Sequence, residues 1–419
     1  MRYEQLSTLC FAASPGGPGI SEADYSRALA RTAPALAQIK GWQERGEQPF
    51  LSYPDKDDDL AELEDMAQSL RRRFARVAII GVGGASLGGQ AVTALASGSG
   101  ADRTPLIFLD NPDSARLHAV LNDDADSGFV VISKSGATAE TLAQTMIALE
   151  RAAAERFLFI TSPGDNPLRR IAEARGVAVL DHDPDLGGRF SVFSAVGVLP
   201  LLLAGLDGAA FRRGASETLH AALRAAEPGT APPAVGAALN LGMAPNISAT
   251  VFMPYDDRLL GLSQWICQLS AESLGKNGHG TTPVVARGAV DQHSQLQLYL
   301  DGPSDKLFTL LRVEAAADGT AIDADLAALA GADYLAGRSL AQLMAAEAAA
   351  TRDALAEGGR PVREFILPVL DEAALGAVMM HFMLETVVMA LCLDIDPFDQ
   401  PAVERGKELA REYLLRART

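Results

Sequence analysis

Cysteine is scarce in this 419-residue chain, which has only Cys10, Cys267 and Cys392. Three scattered thiols supply neither a disulfide framework nor the paired spacing of a structural zinc site. Positive charge is short as well: 36 Lys and Arg stand against 53 Asp and Glu, for a net charge of −17. That balance excludes nucleic-acid recognition through a broad basic face. An uninterrupted apolar run of membrane length is also missing. The longest candidate, Ala374 to Leu393, contains His381 and Glu385 and follows Asp371 and Glu372. A helix buried in a core or a subunit interface accounts for it better than a membrane span. The start, Met1 to Ala13, lacks the organisation of a signal peptide. A soluble, cytoplasmic protein without nucleic-acid or membrane partners is therefore expected. Hydrophobic residues make up 48% of the chain. That is plentiful enough for sizeable cores, and the length allows two or three domains.

Those residues fall into short apolar runs that alternate with helical patterns. Helices are expected at Glu22–Glu44, Leu60–Arg73 and Ala139–Ala154. Strands are expected at Val77–Ile80, Leu106–Leu109, Phe129–Ile132, Arg156–Ile160 and Val177–Leu180. After a Pro/Gly stretch, Glu227–Pro233, the alternation resumes. Strands are read at Ile247–Met253, Pro283–Ala286, Leu307–Val313 and Phe365–Val369, and helices at Arg258–Leu274 and His293–Leu300, with a final helix from about Pro401 to Arg416. The pattern implies an α/β protein with two tandem units, each a mainly parallel sheet covered on both faces. The expected divisions are an N-terminal helical segment (1–56), a first unit (57–226), a second (234–396) and a C-terminal helix (397–419).

Two strand-to-helix loops in the first unit could hold an anion. Gly81-Val-Gly-Gly-Ala-Ser-Leu-Gly-Gly89 allows close backbone approach and opens onto a helix N-terminus. It fits a sugar or phosphate site, a dinucleotide site or plain tight packing, although Ser86 stands where a dinucleotide fingerprint needs its third glycine. Ser133-Lys-Ser-Gly-Ala-Thr138 gathers three hydroxyls and an ammonium ahead of a helix, which suits a phosphate monoester. Helix capping by Ser135 or Thr138 would explain one hydroxyl but not the set. Asp181-His-Asp-Pro-Asp185 could hold a metal, but an exposed loop is the expected reading.

With four further segments, the chain resembles the glucose-6-phosphate isomerase family, built from two sugar-isomerase (SIS) domains. The segments are Gly187-Gly-Arg-Phe-Ser191 with Ser194–Gly197, Gln268–Lys276, Asp291-Gln-His-Ser294 and Asp399–Lys407. The resemblance implies interconversion of glucose 6-phosphate and fructose 6-phosphate in glycolysis and gluconeogenesis, through a cis-enediolate and without metal or other cofactor. It also implies a homodimer.

By the same resemblance Glu272 is the base, and Arg189 stabilises the enediolate. His293, supplied by the partner subunit, opens the sugar ring with help from Lys407. Gly84, Ala85, Ser86, Ser133, Lys134, Ser135, Thr138, Gln268 and Gln400 bind substrate or its phosphate. Ala85 departs from the family's usual serine, so one hydrogen bond is lost or passes to Ser86. Each residue also has an ordinary explanation: a surface pair of Glu272 with Lys276, a salt bridge of Arg189 to Asp183 or Asp185, a structural His293, or a solvated helix around Lys407. Gln268 and Glu272 are one helical turn apart and so share a face, and Gln400 and Lys407 are two turns apart. A sugar-phosphate sensor without catalysis, or an isomerase that also takes mannose 6-phosphate, are the alternatives. The three cations Lys134, Arg189 and Lys407 are expected to form a small positive site on a negative surface.

Overall fold

The computed structural model describes residues 2–12, 19–96, 103–123, 126–314 and 319–416; Met1 and Ala13, the ends of the opening segment, lie outside them. The strands are β1 (Glu4–Leu6), β2 (Arg76–Ile80), β3 (Leu106–Leu109), β4 (Ser127–Ile132), β5 (Phe157–Thr161), β6 (Ala178–Asp181), β7 (Ala249–Pro254), β8 (Thr282–Val285), β9 (Lys306–Val313) and β10 (Val362–Leu367). They form two five-stranded sheets, ordered β3-β2-β4-β5-β6 and β8-β7-β9-β10-β1. The first is parallel throughout, with Ile80 opposite Leu109 on one side and Val131 on the other. Such strands are covered on both faces. That is why β4 and β7 are buried along their whole length and read as continuous apolar runs.

The two orders are the same arrangement repeated. In each sheet the first parallel strand (β2 or β7) is flanked by the next two, so the strand order reverses there. Ligands in open α/β sheets bind outside the strand ends at such a point. The fifth strand differs between the units. In the second sheet it is β1, which pairs antiparallel with β10, Gln5 opposite Phe365. The N-terminal segment read as helical thus also supplies a strand to the second unit.

The apolar segment 374–393 becomes helix Glu372–Cys392, the one described helix long and apolar enough to cross a membrane. Here it is the central core helix, packed on Gly208–Arg224. A Cβ on Gly214 would lie 1.8 Å from the Ala373 carbonyl oxygen, and one on Gly376 would lie 2.0 Å from that of Phe211. No side chain fits between these backbones at either crossing. The stretch expected to link the units is itself ordered: Pro228–Thr230 forms a short turn and Pro232–Met243 a helix.

Inside this core, His381 Nε2 lies 2.9 Å from Glu385 and Nδ1 2.7 Å from the Tyr3 hydroxyl, tying the N-terminal segment to the central helix. Burial pushes the His381 pKa down, against the pull of Glu385, with Arg363 adding to the depression. Folded His381 therefore stays neutral where an unfolded histidine takes up a proton, below about pH 6.5. The unfolded state then binds more protons, so stability falls as pH drops through that window, by at most about 1.4 kcal/mol per pH unit for this group. Denaturation midpoints measured near neutrality and about two pH units lower should show a shallower loss in His381→Gln than in the parent chain. Equal losses would contradict this role.

Candidate active site

The loop after β2, the turn Gly188–Phe190 and helix Leu260–Leu274 meet where the two units face each other. Glycine makes the meeting possible. A Cβ on Gly84 would lie 2.3 Å from the Gly188 carbonyl carbon, so these two backbones touch. Gly83, at φ +61°, turns the same loop toward Gln268, whose Nε2 lies 3.0 Å from where a Cβ would stand. Ala85 is half-buried in this turn. Ser86 is buried, and its hydroxyl accepts from Gln90 at 2.8 Å.

Arg189 is the hub. Its guanidinium is 2% exposed and donates to Ser273 Oγ (2.8 Å), Glu272 Oε2 (3.1 Å), Gln400 Oε1 (2.7 Å) and the carbonyls of Asp399 (3.0 Å) and Pro397. Burial lowers the Arg189 pKa while Glu272, Asp396 and Asp399 oppose that effect, and a guanidinium stays charged regardless. The planar fork satisfies these acceptors at once, which a lysine ammonium could not do. The other Glu272 oxygen accepts from Gln268 Nε2 at 2.9 Å, and Gln268 Oε1 is buried without a partner among the described residues. Glu272 itself is a third exposed, open to the cleft.

The ordinary explanations for Glu272, Arg189 and the hydroxyls of 133–138 do not describe what is seen. Lys276 pairs with Asp399 at 2.6 Å and with the Asp396 carbonyl, leaving Glu272 to Arg189. Asp183 and Asp185 act on Lys134 rather than on Arg189. Burial lowers the Lys134 pKa, and the two aspartates partly restore it. Asp181 pairs with Arg169, and His182 is buried. Thr138 occupies the cap position of helix Ala139–Leu149 without a side-chain capping bond. Its hydroxyl lies 3.0 Å from that of buried Ser133, and Ser135 accepts from the Ala137 N–H at 3.2 Å. Capping therefore does not consume these hydroxyls.

The phosphoglucose isomerase model matches residues 68–418. The chain belongs to the phosphoglucose isomerase family. Among its relatives, a glucose-6-phosphate isomerase of Thermus thermophilus is 36% identical over 93% of this chain and 97% of its own length. One from Carboxydothermus hydrogenoformans is 34% identical over 94% of this chain and 91% of its own. A crystal structure of a Thermus thermophilus protein described as hypothetical superposes with a TM-score of 0.85 at 34% identity, covering 94% of this chain and 98% of that one. The fold alone is shared with a Chlamydia trachomatis glucose-6-phosphate isomerase, at TM-score 0.72 and 24% identity over 85% of this chain and 73% of that one.

Two residues singled out from the phosphoglucose isomerase resemblance stand apart from this cluster. His293 does not start a helix. It lies exposed in the turn between helices Gly288–Gln292 and Leu296–Asp301. Lys407, on helix Glu404–Arg416, is exposed and pairs with Glu404 at 2.6 Å. Gln400 precedes that helix, capping the turn Pro401–Val403 with non-helical backbone (φ −153°), so it shares no helical face with Lys407. This corrects the two-turn expectation.

Sequence reasoning missed Ser273 and the backbone carbonyls of Pro397 and Asp399. It also missed what fixes them: Phe398 packs 5.2 Å from the Phe190 ring and 5.9 Å from Phe50. Phe398, two residues before Gln400, was the available signal.

Proposed function

We propose that the chain interconverts D-glucose 6-phosphate and D-fructose 6-phosphate by moving one proton between C1 and C2, with Glu272 as the base. The observation that carries this reading is the half-open Glu272 carboxylate, held by Gln268 and Arg189 where the loops of the two sheets meet. In the ketose-to-aldose direction Glu272 takes the proton from C1 of the open-chain sugar and returns it to C2. Negative charge grows on the substrate oxygens in between, beside the Arg189 Nη1 that Glu272 and Gln400 share.

The phosphate goes to the backbone and hydroxyls of 133–138 at the start of helix Ala139–Leu149, with Lys134 adding charge. The backbone of Gly84 and Ala85, with Ser86 behind it, completes that side, and Gln400 closes the other.

Ring opening is assigned to His293 of a second copy, in a homodimer, with Lys407. Within one chain His293 touches none of the residues around Arg189. It is flanked by Val290 and Leu298, both more than half exposed, as a surface that meets another copy would be. Helix Glu404–Arg416 has no buried residue and exposes Tyr413, Leu414 and Leu415. That supports its docking elsewhere in the assembly and carrying Lys407 with it.

A carboxylate relay exposes the moving proton to solvent. In heavy water, glucose 6-phosphate made from fructose 6-phosphate should therefore carry deuterium at C2 in part of the product. Complete retention of the substrate hydrogen at every temperature would point to a hydride shift and contradict the base.

A further inference from the structure

Segment 396–400 is held from both units. From the first, Arg189 donates to Gln400 Oε1 and to the carbonyls of Pro397 and Asp399. From the second, Lys276 pairs with the Asp399 carboxylate at 2.6 Å and donates to the Asp396 carbonyl. Between them Phe398 packs its ring against Phe190, Phe50 and Trp42. The Lys276 side chain is 13% exposed, so its ammonium is largely out of water, whereas Asp399 is half-exposed. The backbone bends sharply on both sides of this contact. Among the described residues, Asn277 and Asp394 are the non-glycine residues with positive φ, at +53° and +55°. One directly follows Lys276, and the other lies two residues before Asp396. Left-handed residues of this kind persist where surrounding contacts over-determine them, commonly beside functional sites.

We propose that Lys276 is a positioning residue for the isomerisation: it neutralises Asp399 and fixes segment 396–400, so that Gln400, and not the Asp399 carboxylate, shares Arg189 with Glu272. Arg189 Nη1 bonds Glu272 and Gln400 together, while the hydrogen bond from Asp399 to Arg189 comes only from its carbonyl, at Nη2. The Asp399 charge is nonetheless felt there. Burial lowers the Arg189 pKa, and Asp399 is among the charges that oppose it.

Without the Lys276 ammonium, the Asp399 carboxylate loses its partner, and Arg189 is the cation that its own carbonyl already touches. A carboxylate binds a guanidinium more strongly than an amide oxygen does. Gln400 is then displaced from Nη1. The Arg189 charge is drawn toward Asp399 and away from the substrate oxygens on which negative charge develops. The effect on turnover rests on the proposed roles of Glu272 and Arg189, whereas the clamp itself does not.

Lys276→Met should lower kcat for fructose 6-phosphate about 10- to 100-fold, the scale of an ångström-sized misplacement at a reacting centre. Lys276→Arg, which keeps the charge, should recover most of that loss. If Lys276→Met melts early, Lys276→Gln replaces it. The discriminating variant combines Lys276→Met with Asp399→Asn. Removing the rival carboxylate should raise kcat at least about fivefold above Lys276→Met alone, a non-additive gain that a merely structural lysine would not give. Amide hydrogen exchange across 396–403 needs no turnover, and it should be faster in Lys276→Met and parent-like in Lys276→Arg. Parent-like kcat in Lys276→Met, no gain in the double variant, or unchanged exchange would each overturn the proposal. A parent chain inactive on fructose 6-phosphate would instead contradict the proposed function, and exchange alone would then decide the clamp.

Discussion

Glu272→Gln should lower kcat by about 10²- to 10⁴-fold, the range for losing a positioned base, with KM for fructose 6-phosphate changed only severalfold. The amide keeps the shape of the side chain and removes its ability to take a proton. The fold should survive, because Arg189 keeps Ser273, Gln400 and the carbonyls of Pro397 and Asp399. Steady-state kinetics in both directions, with a melting curve for each protein, separate loss of chemistry from loss of structure. Near-normal turnover would remove Glu272 from the role.

Arg189→Lys should cost about 10²- to 10³-fold in kcat, comparable to losing a donor that meets developing negative charge. Charge is conserved, so the loss isolates geometry. The guanidinium makes five hydrogen bonds from its three nitrogens, whereas an ammonium has one nitrogen and three donors. Buried acceptors at Ser273 and Pro397 would then go unpaired, at about 1–3 kcal/mol each. Thermal stability should therefore fall together with kcat, unlike in Glu272→Gln. A variant with normal kcat would show that the charge alone matters.

The sheets were legible because buried parallel strands read as uniform apolar runs; β2, β3 and β9 appear within a residue of their expected limits. At three residues, β1 is too short for any period. Its pairing with β10 is set by contacts with the far end of the chain. The placement of Gln268 beside Glu272 followed from one helical turn on one helix. Spacing failed for Gln400 and Lys407, since the backbone is non-helical at Gln400 and the helix begins after it. The acceptors around Arg189 lie 83 to 211 residues along the chain, so no local pattern announces them. Two are backbone carbonyls, which carry no residue-type signal at all.

His293 is where sequence and single-chain geometry part: the resemblance places it in the site, and the fold of one chain places it on the surface. A shared site reconciles them, and mixing two inactive variants tests it. Hybrid dimers of Glu272→Gln with His293→Ala contain one site with both Glu272 and His293 intact and one lacking both. If the partner supplies His293, equal mixing and subunit exchange should restore about a quarter of the parent activity, since about half the dimers are hybrids and each has one complete site. A mixture no more active than the sum of its two parts, with hybrid dimers present, would contradict the shared site.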